Sequence, residues 1–154
     1  MGKPRGPNAI ASEHLRVSGL DEPIEFTITR EVIVLKAVPF AVMLDDQVGY
    51  VPLLSFRETS TTEMRAAIDS LRGEGMQSLV LDVRGNPGGL LDQGIAVSDL
   101  FLSEGQGIVE TRGRDTNQNE TYAAAHPDQY PDMPMVVLVD QASASASEII
   151  AGAL

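Results

Sequence analysis

Chemistry in this sequence concentrates in two short segments. One is Asp140-Gln141-Ala142-Ser143-Ala144-Ser145-Ala146-Ser147-Glu148, in which three serines alternate with alanines ahead of an apolar run to Leu154. Ser145 opens a predicted helix just after a predicted buried strand. Backbone N–H groups converge at a helix N-terminus and its dipole favours negative charge, which suits a serine attacking a carbonyl. Such a serine needs a base, and it needs donors for the charge that follows. The small neighbours Ala144 and Ala146 let a carbonyl approach, and the Ala146 N–H could be one donor. The other segment is Arg84-Gly85-Asn86-Pro87-Gly88-Gly89. Glycine permits close backbone approach, so the Gly88–Gly89 pair could supply the second donor. Each segment also has a plainer reading, the serines as a helix N-cap and Asn-Pro-Gly-Gly as a tight turn. Their equivalent positions, each just past an apolar strand, favour a shared site.

Those positions follow from the patterning around them. Residues 1–23 read as irregular. From Ile24 the chain alternates, with Ile24, Phe26 and Ile28 opposite Glu25, Thr27 and Thr29, the pattern of a half-buried strand. Val32, Val34 and Leu35 extend the apolar stretch, and Val48–Leu54 supplies another strand. Ser60-Thr61-Thr62-Glu63 predicts a capping box, followed by Met64, Ala67, Ile68 and Leu71 at helical spacing and a stop at Gly73 and Gly75. Leu79–Val83 reads as a buried strand, and Leu90–Leu102 as a second helix with Leu91, Ile95, Ser98 and Leu102 on one face. Ile108–Thr111 suits a strand, residues 113–134 form a long polar connection, and Met135–Val139 is uniformly apolar. Strand–loop–helix units of this kind predict an α/β fold with a parallel or mixed sheet, whose reactive loops gather at the carboxyl ends of the strands.

Composition narrows the chemistry. A net charge of −11 over 154 residues opposes nucleic-acid binding and adsorption to anionic lipid. With no cysteine, thiolate zinc sites, disulfides and a cysteine nucleophile are excluded. Asp45-Asp46 and the scattered glutamates form no ligand set, so neither a metal nor a cofactor is expected. No apolar run approaches the ~18–20 residues that cross a bilayer, and Met1–Pro7 has no apolar core behind it to make a secretory signal. The lysines are Lys3 and Lys36, both well before the serines. His126, with Asp128 nearby, offers a Ser–His–Asp arrangement on paper, although a loop histidine between alanines and Pro127 is ordinarily just exposed. His14 offers nothing.

Leu81–Leu90 and Val137–Ile149 resemble the two signature stretches of the carboxyl-terminal processing (tail-specific) serine peptidases. Val48–Phe56 and the Met64–Gly75 helix resemble that family's core as well, so the similarity covers most of residues 24–154. The resemblance implies a mixed β/α sandwich, a crotonase/ClpP-like protease core, over 34–154. Residues 1–33 would be the trailing end of a PDZ-like domain and a connecting strand: Arg5-Gly6-Pro7 and Glu22–Val32 resemble that domain, Asn8–Leu20 does not. It implies Ser145 as nucleophile rather than Ser143 or Ser147, Gly89 and Ala146 as backbone oxyanion donors, Gly88 shaping the same loop, and Glu148 organising the site. The base would be a lysine beyond Leu154 in a Ser–Lys dyad that needs no metal. The chain is accordingly expected to be a fragment, inactive alone, of an extracytoplasmic endopeptidase (periplasm or cell envelope). That enzyme would cut polypeptides near their carboxyl-terminal tails, without stable membrane insertion in this segment. The alternative is a non-catalytic peptide- or ligand-binding relative with the same core.

Overall fold

The computed structural model describes residues 10–15, 22, 24–29, 33, 35–114 and 119–154. The chain divides into two units, Met1–Leu35 and Lys36–Leu154.

In the first, β1 (Ile10–Leu15) pairs antiparallel with β2 (Ile24–Thr29), Ile10 opposite Thr29 and Leu15 opposite Ile24. The alternating stretch from Ile24 is thus a strand. The expectation that residues 1–23 are irregular is corrected, because β1 lies inside them. Ser12, Glu13 and His14 give that strand no period-2 apolar signal, and cross-strand pairing defines it instead. Ile33 and Leu35 are exposed and outside any strand. Arg5-Gly6-Pro7, Lys3, Val32 and Val34 fall outside the described residues.

In the second unit the chain runs through β3 (Val42–Met43), β4 (Val48–Pro52), α1 (Ser60–Gly73), β5 (Ser78–Asp82), α2 (Leu91–Ser98), β6 (Gly107–Thr111), β7 (Glu120–Ala123), β8 (Met135–Leu138) and α3 (Ala146–Ala153). Four strands form a mixed sheet in the order β3-β4-β5-β8, antiparallel at β3 and parallel thereafter. β5, apolar from Leu79 to Leu81, buries Leu79 and Leu81 against Val51 and Leu53 from β4 and its extension. The helical spacing in α1 brings Met64, Ile68 and Leu71 onto the same core, joined by Val97 and Leu100 from around α2 and Ile150 from α3.

Three local expectations change. The cap of α1 is one residue early. Thr59 is the N-cap and its hydroxyl pairs with Glu63 Oε1 at 2.6 Å. Ser60 is fully buried, where its Oγ accepts from Arg57 N–H at 2.7 Å and faces Ser55 O at 3.2 Å. Two capping-type residues in succession allow both readings, and burial decides between them. The second helix ends at Ser98, four residues short of the predicted limit, although Leu100 and Leu102 stay buried in the turns that follow. The polar connection 113–134 contains β7, which pairs antiparallel with β6, Thr111 opposite Glu120. Among the described residues no helix is long and apolar enough to cross a membrane.

Candidate active site

Parallel β5 and β8 are neighbours, with Asp82 opposite Leu138, so the loops leaving them emerge side by side. Several hydrogen bonds lock the two loops together. Asp140 Oδ1 accepts from Gly85 N–H at 2.9 Å and from the Ala142 and Ser143 N–H groups at 3.0 and 3.1 Å. These bonds, that from Gly85 first, hold its carboxyl below the usual carboxylate range. Ser143 Oγ donates to Val83 O at 2.8 Å, and buried Ser147 Oγ donates to Asn86 O at 2.9 Å. The Ala144 N–H reaches Asn86 O as well, at 3.1 Å. The hydroxyls of the outer two serines are therefore taken up by carbonyls of the glycine loop, while Ser145 between them is exposed.

Ser145 has φ 54° and ψ −115°, one of two non-glycine residues at positive φ among those described. A serine in that region stores backbone strain of roughly 1–3 kcal/mol and persists only where its surroundings over-determine it. Here they do. Glu148 Oε2 accepts the Ser145 N–H at 2.7 Å, and Ser145 O accepts from the Glu148 and Ile149 N–H groups at 2.9 and 3.0 Å. Gly88 presses in from the other loop at φ 95°. A Cβ there would lie 2.7 Å from Ala144 O, 2.8 Å from Ser145 Cβ and 3.0 Å from Ala146 N. Gly89 is equally confined, since its Cβ would stand 2.1 Å from Phe56 O. Phe56 N–H donates to Gly88 O at 2.9 Å, and Leu90 N–H donates to Phe56 O at 2.9 Å. Because the Gly88–Gly89 peptide is trans, the first of these bonds aims the Gly89 N–H away from Phe56. Among the described residues neither the Gly89 nor the Ala146 N–H has a hydrogen-bond partner.

Beside Ser145 lies a cavity of about 610 Å³ lined by Ile108, Val109, Ser145, Glu148, Ile149 and Gly152. Its wall is apolar except for the serine and the glutamate, and among the described residues no basic side chain lines it. Lys36 lines a separate cleft with Val38 and Glu63. His126 does not join Ser145 either. Its Nδ1 lies 2.5 Å from Asp99 Oδ2, at the end of α2, in a cleft shared with Thr61 and Gln129. Asp128, its paper partner, accepts from Tyr130 N–H at 2.8 Å instead. Among the described residues no Ser–His–Asp set forms.

The structure brings Ser145, Ala146, Gly88, Gly89 and Glu148 into one locus. It adds residues that spacing did not single out: Asn86, Asp140, Ser143 and Ser147 as the ties between the loops, and Asp82 where the glycine loop leaves β5. Tyr50 OH donates to Asp82 Oδ2 at 2.7 Å, and Arg84 Nη2 approaches the same oxygen at 2.6 Å. The Arg84 guanidinium brings the Asp82 carboxyl down to about 2, and the bond to Asp82 raises the Tyr50 hydroxyl above its ordinary value. Among the described residues no cluster of His, Asp and Glu could hold a metal ion.

The model of peptidase family S41 matches residues 47–154. A carboxy-terminal-processing protease of Bartonella bacilliformis is 42% identical over 140 residues, which cover 88% of this chain and 32% of that protein. The carboxy-terminal processing protease CtpA of Bacillus subtilis is 38% identical over 131 residues, 85% of this chain and 28% of that one. Among solved structures, the photosystem II D1 C-terminal processing protease superimposes with a TM-score of 0.65 at 28% identity, covering 96% of this chain and 41% of its own. The chain thus spans about a third of the length of the curated relatives it matches.

Proposed function

The chain belongs to peptidase family S41, and from that premise we propose that it carries the nucleophile and oxyanion hole of a serine endopeptidase of the carboxyl-terminal processing type. The observation that carries this reading is the wedging of Gly88 against Ser145 and Ala146, which sets an exposed serine beside the glycine loop while, among the described residues, the Gly89 and Ala146 N–H groups have no partner.

Ser145 Oγ attacks the scissile carbonyl carbon as its proton passes to a lysine amine, and the carbonyl π pair moves onto oxygen. The Gly89 and Ala146 N–H groups take that oxyanion. Donors already oriented need no rearrangement as charge develops, and the loss of one such donor typically costs ~10²–10³ in rate. Collapse breaks the C–N bond, the lysine returns its proton to the leaving amine, and an ester remains on Ser145. Water then hydrolyses the ester by the same route. Glu148 organises the site by holding the Ser145 backbone and carries no proton. We assign the base to a lysine of the intact protein outside these 154 residues, as the resemblance implies; among the described residues no lysine lines the cavity beside Ser145. The 154-residue piece alone is then inactive. The substrates are polypeptides taken by their carboxyl-terminal tails, and we assign the intact protein to an extracytoplasmic compartment, as the resemblance implies.

The test uses the intact protein and a peptide with an apolar carboxyl end. Cleavage should vanish in Ser145→Ala with the melting transition retained, and an ester should be trapped on Ser145 by mass spectrometry. Tight peptide binding without cleavage by the unmutated protein would favour the non-catalytic binding relative instead.

A further inference from the structure

Asn86 sits in the middle of the glycine loop, yet it is fully buried. Its carboxamide makes two bonds in opposite directions. Nδ2 donates to Leu53 O, just past β4, at 2.7 Å, and Oδ1 accepts the Gly88 N–H at 2.9 Å. Its backbone carbonyl makes two more, accepting from Ala144 N–H at 3.1 Å and from Ser147 Oγ at 2.9 Å. One residue therefore ties together the extension of β4, the amide of Gly88, and the segments just before and after Ser145. Ser147 is fully buried as well, and its hydroxyl joins the first turn of α3 to this hub.

We infer that Asn86 and Ser147 are positioning residues that set the spacing between the two oxyanion amides and the Ser145 hydroxyl. The Gly88 N–H is held by Asn86 Oδ1 and the Gly88 carbonyl by Phe56 N–H. Both peptide planes flanking Gly88 are thereby fixed, and the second of them bears the Gly89 N–H. Glycine at φ 95° has no side chain to hold those planes, so an outside group must. Ser147 applies the same restraint to the Ala146 side. Neither residue lines the cavity beside Ser145, so the pair acts on donor geometry and not on substrate contact. Interactions made only in the transition state move kcat, whereas uniform binding moves KM.

The inference rests on the proposed nucleophile, and the experiment separates the two. In the intact protein, assayed well below its melting temperature, Ser147→Ala should lower kcat by about tenfold and Asn86→Ala by about a hundredfold, with KM changed less than about twofold. Inactivation by a peptidyl phosphonate, whose tetrahedral adduct uses the same amides, should slow in step. Asn86→Asp adds a pH readout. Its protonated carboxyl keeps both an acceptor for Gly88 N–H and a donor for Leu53 O, so its kcat relative to the unmutated protein should rise as pH falls. If Asn86→Ala fails to fold, Ser147→Ala and Asn86→Asp decide alone. Residual cleavage by Ser145→Ala sinks the nucleophile reading. An inert Ser145→Ala beside Ser147→Ala and Asn86→Asp variants of unchanged kcat, or variants in which KM rises while kcat holds, overturns the positioning role and leaves the nucleophile standing.

Discussion

The carboxylate of Glu148 accepts the backbone N–H of Ser145 at 2.7 Å, while the Ser145 carbonyl accepts the Glu148 N–H at 2.9 Å. This reciprocal pair closes the first turn of α3 around a residue with φ 54°. An acid in that turn also meets the positive end of the helix dipole. The glutamate thus stabilises the helix and fixes the backbone from which the serine hydroxyl projects.

Glu148→Ala should therefore cost about 1 kcal/mol of stability, the usual effect of losing a cap, and lower turnover of the intact protein by more than that loss of folded population explains. Glu148→Gln keeps an acceptor and should fall between the two. Urea melts and initial rates on the same preparations check both. Equal turnover in all three proteins would remove Glu148 from the site.

Gly88 should tolerate no side chain. A Cβ would meet Ala144 O, Ser145 Cβ and Ala146 N within 3.0 Å, in a backbone conformation that L-residues rarely adopt. Gly88→Ala should destabilise by more than about 1 kcal/mol and abolish turnover. Gly73, at the end of α1, is the contrast, because a Cβ there would meet nothing within 4 Å. Gly73→Ala should be neutral or stabilise by about 0.5 kcal/mol. Thermal melts of the two variants should move apart.

Asp82 makes stability depend on pH in a defined window. Its carboxyl lies at about 2 against an ordinary 3.8, depressed first by Arg84 and then by the Tyr50 hydroxyl. A depressed carboxyl contributes stability that is complete above about pH 4 and fades as pH falls through about 2. The unmutated protein should lose more stability than Asp82→Asn between pH 5 and pH 2, and 1 M salt should shrink the difference because Arg84 is 53% exposed. Parallel denaturation curves for the two proteins across that range would count against the ion pair.

His126→Ala should leave cleavage intact. The histidine side chain is 69% exposed, and its ring pairs with Asp99 rather than with anything near Ser145. Asp99 is largely buried, so removing its ring partner should cost about 1–3 kcal/mol of stability without changing turnover. A hundredfold loss of turnover would return the histidine to the mechanism.

Ser145 and the Gly88–Gly89 pair stood out in the sequence as candidates because small residues and glycine beyond an apolar run are the composition expected of a reactive loop after a parallel strand, and the fold brings the two segments together. The middle serine could be told from its neighbours only by resemblance, because three serines alternating with alanines have no local feature that ranks them. In the folded chain they differ in what they bond to: the Ser143 and Ser147 hydroxyls reach carbonyls some 60 residues earlier, and Ser145 is exposed. Asn86 was hidden for the same reason, since a turn asparagine and a buried hub asparagine look alike until Leu53 is beside it. The strands β4, β5 and β8 announced themselves by apolar content, whereas β1 and β7 are polar and owe their existence to partners.

The cavity beside Ser145 should set which side chain precedes the cut. Ile108, Val109 and Ile149 give it an apolar wall, and burying apolar surface there contributes roughly 25 cal/mol per Å². Its volume of about 610 Å³ accommodates a large side chain, and a Cβ at Gly152 would meet nothing within 4 Å. Gly152 is therefore the position where the cavity can be narrowed without disturbing the packing. Gly152→Leu should leave the melt nearly unchanged and lower kcat/KM for peptides with Leu or Phe before the scissile bond by about 10–100-fold, while peptides with Ala there change little. Charged residues at that position should be poor substrates for both proteins, because the wall offers them no partner except Glu148, which Ser145 already engages. A Gly152→Leu enzyme that cuts after Phe and Ala in the original ratio would show that the side chain before the bond goes elsewhere.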